Sequence, residues 1–126
     1  MTFLKRADIL RHRPPRFEDV PVPEMASEQD PKPMARIQAL TATAVDWFLG
    51  SLYVEGPDGK TRYNRQDYSA KLLTLAWVDE KGQLVFQESD VVALGAQDSA
   101  MVQRLAIVAE RLSGLQAKQP ETEAKN

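Results

Sequence analysis

Cysteine is absent from this chain of 126 residues, and histidine occurs once. The first absence removes disulfides, zinc–thiolate sites, iron–sulfur ligation and thiol nucleophiles together, and it fits a reducing compartment. The second leaves His12 without another imidazole or a thiol to share a metal, so in its basic stretch it reads as a structural or exposed side chain rather than a ligand. Charge of one sign is also missing: 16 Lys and Arg face 18 Asp and Glu, a formal net charge of -2. Without a strong positive field, general nucleic-acid or anionic-membrane binding is not expected. Apolar stretches such as Leu72 to Val78 fall far short of the roughly 20 residues that span a bilayer. Asp8 and Arg11 break what would have to be the apolar core of a secretory signal.

Glycine arrays of the Gly-x-Gly-x-x-Gly or Walker type do not occur, so phosphate cradling at a helix start has no support. Asp58-Gly59 and Asp79-Glu80-Lys81-Gly82 lack the alternating ligands and closing Glu of a calcium loop and read as turns. Ser89, Ser99 and Ser113 have no nucleophile-elbow context. Glu88 with Asp90 would serve as acid and base only if a pocket gathered them, with His12 as a further member; charges near turns are more often solvated or capping. The expectation is therefore no catalytic residue, no metal, no cofactor and no enzyme.

What is present is 43% hydrophobic residues, enough for one core and too little chain for two ordinary domains. Phe3, Leu4, Ala7 and Leu10 fall at helical spacing before Pro14-Pro15. The basic cluster Lys5, Arg6, Arg11, Arg13 and Arg16 is followed at once by Glu18 and Asp19, which favours a solvated or oligomer-facing segment over phosphate contacts. Phe17, Val20 and Val22 form an extended stretch that Pro21 and Pro23 confine to a sheet edge. Residues 24–33 read as a mobile loop, and Ala35, Ile37 and Ala39 alternate as a half-buried strand that completes a hairpin.

A helix is expected from Thr43, as its cap, to Val54, with Val45, Phe48, Leu49 and Leu52 inward and Gly50 weakening it. Gly56-Pro57-Asp58-Gly59 is a turn. A second helix is capped by Asn64, carries Tyr68, Leu72, Leu75 and Ala76 on one face with Leu73 and Trp77 widening it, and ends at Asp79–Gly82. Leu84 and Phe86 suggest a short extended piece, followed by one or two turns that Gly95 ends. The cleanest signal is the stripe Met101, Val102, Leu105, Val108, Ala109 and Leu112, with Asp98 as cap and Gly114 as stop. The expected fold is α+β, mainly helical with three to four helices and an N-terminal β-hairpin. Residues 1–115 form the domain, and the polar stretch 116–126 is expected to be a disordered tail. Trp47 and Trp77 lie beside the main stripes of their segments. Either both rings complete a broad core, or one is an exposed anchor for another chain.

The serial order of motifs carries a resemblance. Leu4-Lys-Arg-Ala-Asp-Ile-Leu, Glu18-Asp-Val-Pro-Val-Pro-Glu and Ala35-Arg-Ile-Gln-Ala-Leu-Thr are followed by Leu72-Leu-Thr-Leu-Ala-Trp-Val-Asp-Glu-Lys-Gly-Gln-Leu-Val-Phe, Asp90-Val-Val-Ala-Leu-Gly and Arg111-Leu-Ser-Gly-Leu. Over nearly the whole chain this order resembles tail assembly chaperones of long-tailed, non-contractile bacteriophages and their prophages. It departs at Met25 to Pro33, where a shorter hairpin turn containing Trp-Gly is expected, and at Gly50.

The resemblance implies a non-enzymatic protein of the bacterial host cytoplasm that self-associates and coats the tape-measure protein until tail-tube subunits polymerise. It also implies a longer, frameshifted form whose extra domain recruits the tail-tube protein. Ala124-Lys125-Asn126 is encodable as GCA AAA AAC, which contains a slippery A-AAA-AAC. Phe3, Leu4, Ile9, Leu10, Trp47 and Trp77 are the candidate partner or oligomer contacts. The competing reading is a phage or prophage adaptor or head-tail connector with a different partner.

Overall fold

The structure, a computed structural model, describes residues 1–115, and the expectation for 116–126 lies outside them. The expected α+β class is observed. Five α-helices, rather than three or four, stand with a three-stranded antiparallel sheet and a separate two-stranded hairpin among the described residues.

β1 (Phe17–Pro21) and β2 (Met34–Gln38) form the N-terminal hairpin, with Asp19 opposite Arg36 and Val20 opposite Ala35. β1 lies at the edge, in the order β1-β2-β5 with β5 at Trp77–Val78, where Pro21 sacrifices no ladder donor. Alternation along β2 sends Ala35 and Ile37 inward and Met34 outward. On the outer face Arg36 donates to both Asp19 carboxylate oxygens at 2.8 and 3.0 Å and covers the Phe17 ring. The connection 24–33, expected as a loop, begins with a 3-10 turn at Pro23–Met25 and contains a turn closed by Ser27 N–H to the Asp30 carbonyl. Glu24 is bound by two Arg104 donors at 2.7 and 2.9 Å, and these hold its carboxyl well below the usual range, at about 2.

α2 spans Ala42–Gly50. Its cap is Thr41, whose Oγ1 accepts from Ala44 N–H, not Thr43 as the sequence suggests. The earlier start follows from the chain before it: Ala39 N–H donates to the Arg16 carbonyl and Leu40 N–H to Ser113 Oγ, so the backbone turns immediately after β2. The helix also stops earlier than expected. Tyr53–Glu55 leaves it as β3 and pairs with β4 (Thr61–Tyr63) across the Gly56–Gly59 turn, because an aromatic and a β-branched residue beside a strong turn favour pairing over further helix. Tyr53 and Tyr63, directly opposite, pack edge to face.

α3 spans Tyr68–Ala76, three residues later than an Asn64 cap requires. Asn64 Oδ1 instead accepts from Gln66 N–H, and Asp67 enters the helix in the left-handed region at φ 62. At its other end Trp77–Val78 is not helix but β5, paired with Ile37 and Arg36 of β2. Asp79–Gly82 therefore closes a β-turn rather than a helix. Asp79 Oδ1 accepts from Lys81 and Gln83 N–H, Gly82 sits at φ 82, and Val78 bridges Leu84. A 3-10 turn at Glu88–Asp90 leads into α4 (Val91–Gly95), and α5 spans Ser99–Leu112.

α5 matches its sequence signature: Asp98 caps it through Met101 N–H, and Gly114 at φ 74 follows its end. Its apolar stripe packs against α3 and the inner face of the sheet, so Ile37, Phe48, Leu52, Leu72, Leu73 and Leu105 lie at the centre of the core. Complete burial of each large side chain stabilises by about 1.5–3 kcal/mol before entropy is counted. Leu49, expected in the core, is 41% exposed because a nine-residue α2 turns only its Phe48 side inward. Val45, Tyr68 and Leu75 are half-buried.

Candidate interaction surface

The N-terminal arm holds four of the six candidate contacts. α1 (Arg6–Leu10) is a five-residue helix, and Phe3, Leu4, Ile9 and Leu10 around it are 56–78% exposed. The hydrogen bonds of residues 1–13 stay within the arm: Lys5 N–H to Asp8 Oδ2, the helical bonds, and Arg13 to the Asp8 carbonyl. The first tie to the body is Arg16, which donates to the Leu112 carbonyl at the C-terminal end of α5 and accepts from Ala39 N–H.

The two tryptophans separate. Trp47, on α2, is 49% exposed and lines a small depression with Lys71, Glu88 and Val91. Leu49 is exposed on the same helix, as are Tyr53, Val54 and Tyr63 on the following hairpin. Trp77, on β5, is half-buried, stacks edge to face on Phe86 at 5.1 Å and lines a larger groove.

That groove has a volume of about 510 Å³. Met25, Trp77, Val85, Phe86, Leu94 and Met101 form its apolar walls, with Ala93 exposed along it and Asp90 and Gln97 as polar members. The helical reading of Trp77 hid this groove, since it required β5 and the strand-like return through Leu84 to turn one side of the ring outward. The signal available in the sequence was Leu84-Val85-Phe86: three successive apolar residues after a turn cannot all face one side of a strand, and Leu84 and Val85 are exposed. Met25, isolated in a polar connection, was the other.

The acid–base candidates are not brought together. Glu88 lines the depression beside Trp47, Asp90 lines the groove beside Trp77, and His12 lies exposed in the arm. Asp90 has a structural task, accepting from Gln87 N–H at the start of its turn. Among the described residues no three or more His, Asp or Glu are placed to hold a metal ion, and no helix is long and apolar enough to cross a membrane.

Charge is unevenly divided. Lys5, Arg6, Arg11 and Arg13 against Asp8 give the arm, residues 1–13, a formal +3, whereas ten Lys and Arg against fifteen Asp and Glu give residues 14–115 a formal −5. The ion pairs among the described residues are Arg36–Asp19, Arg62–Asp58, Arg104–Glu24 and Arg111–Glu18; none uses a residue of the arm, nor Asp79, Glu80, Glu88 or Asp90.

No family model, curated protein or solved structure matches the chain.

Proposed function

We propose that this protein is a phage tail assembly chaperone, which self-associates and sheathes the tape-measure protein until tail-tube subunits replace it. The observation that best supports this reading is the half-exposed Trp47 on α2, with Leu49, Tyr53, Val54 and Tyr63 also exposed on that helix and the hairpin after it. Large apolar side chains left in water on a folded body suit reversible contact with an apolar surface, and tryptophan dominates many such contacts. A very long amphipathic helix presents a surface of that kind along its whole length, and unshielded it associates with itself. The exposed, basic arm provides a second contact region, so that covering a client and joining copies do not compete for one patch. The serial motifs supply the phage assignment, and a longer frameshifted form would bring in the tail-tube protein.

The test is to read the neighbouring genes for a very long helical protein, the expected tape-measure protein, and to co-express it with this chain. The full chain is expected to keep that protein in the soluble fraction, and Trp47→Asp, which alters an exposed side chain, to lose this effect while folding normally. A tape-measure protein that stays soluble without the chain overturns the reading. So does recovery of the chain as a fixed component of finished virions, which is the behaviour of a connector.

A further inference from the structure

We propose that the N-terminal arm of one copy docks in the Trp77–Phe86 groove of a second copy. The inference concerns self-association and does not depend on the identity of any client.

Four observations converge on it. An isolated helix shorter than about 12–15 residues is marginal in water, yet α1 has five residues and no body to pack against. Its apolar residues Phe3, Leu4, Ala7 and Leu10 recur at helical spacing, so extension of α1 back to Phe3 on docking would bring them onto one stripe facing the receiving surface. The groove is apolar, and its volume of about 510 Å³ falls within the roughly 300–1,000 Å³ typical of clefts that enclose a bound group. The charges match. The arm carries four cations outside any ion pair among the described residues, Asp90 lines the groove, and Asp79 and Glu80 line the depression that shares Trp77 and Val85 with it.

The arm's own groove lies at the limit of its reach, since residues 11–15 fully extended span only about 17 Å. The arm is rooted at Arg16 beside Leu112, while the groove opens at Met101, eleven residues back along α5 and so about 16 Å away. Pro14-Pro15 stiffens the connection and narrows the set of paths by which it could bend onto its own body. Arm and groove are different surfaces, so two copies either exchange arms reciprocally, which makes an isologous two-fold pair, or link onward head to tail through heterologous contacts.

Sedimentation velocity of the full chain at rising concentration tests this, with Leu4→Asp/Leu10→Asp in the arm and Ala93→Arg in the groove. All three positions are exposed, and circular dichroism checks that both variants keep the fold. The wild type is expected to reach at least twice its 14.1 kDa, and each variant alone to remain at that mass. An equal mixture of the two variants is expected to recover a pair, because one retains a working groove and the other a working arm. A wild type that stays monomeric overturns the proposal, including the case in which Trp77 fluorescence, read in a Trp47→Phe background, shows the arm docked on its own body. A variant that associates like the wild type, or a mixture that stays monomeric, overturns it as well.

Discussion

Glu110 sits on the inward side of α5, 8% exposed, and receives the Tyr68 hydroxyl at 2.8 Å. The Tyr68 ring in turn packs edge to face on Phe48 and lies under the Arg65 guanidinium. Burial, and then the hydrogen bond to Glu110, push the Tyr68 phenol above its ordinary value of 10.0. Two consequences follow from the pair. Tyr68→Phe keeps the ring but leaves a buried carboxylate without its donor, and urea denaturation is expected to show a loss of about 1–3 kcal/mol. A phenol with a raised folded-state pKa contributes stability that is complete below the unfolded value and declines as pH rises beyond it. The wild type should therefore lose stability above about pH 10 through this group, and the Phe variant should lack that part of the alkaline loss.

At the scale of elements, backbone conformation separates two glycines that look alike in sequence. Gly50 lies in α2, has no positive φ and has open space where a Cβ would go, so Gly50→Ala should stabilise by about 0.5–1 kcal/mol. Gly82 occupies the left-handed region at φ 82 in the turn after β5, so Gly82→Ala should destabilise by about 1–2 kcal/mol although nothing crowds the position. Thermal melts of the two variants should move in opposite directions. The contrast also marks what was legible in the sequence. α5 was readable from cap to stop because its signals are local: Asp98, a three-turn stripe and Gly114. β1 and β2 were readable from alternation and proline placement. The limits of α2 and α3 were not, because distant partners set them: Ser113 and Arg16 at residues 39–40, Tyr63 opposite Tyr53, and Ile37 opposite Trp77. Of the candidate contacts, the arm residues were legible as a segment outside the core. The sequence left both tryptophans open between core and anchor, and the exposure of Trp47 follows from a short α2 that turns its Phe48 side inward. The groove around Trp77 depended on a strand of two residues, too short to announce itself by periodicity.

For the whole molecule, the decisive division lies between the arm and the body. Among the described residues, 14–115 contain the buried core, and residues 1–13 add no buried side chain to it. Local stability follows local contacts, so the two parts should open independently. Amide hydrogen exchange on the dilute full chain should find Arg6–Leu10 exchanging close to the unprotected rate, while Leu105 and Ala109, deep in α5, exchange only through global unfolding. Raising the concentration should slow exchange in the arm and, in the same samples, around Val85 and Phe86, leaving the centre of α5 little changed. This follows from the proposed docking: a contact between copies protects both its donor and its acceptor, and protection grows with occupancy. Slowed exchange in the arm without any change at the groove would mean that the arm finds another surface. Protection of the arm already at high dilution would mean that it docks on the body of its own chain, against the separation seen in the fold.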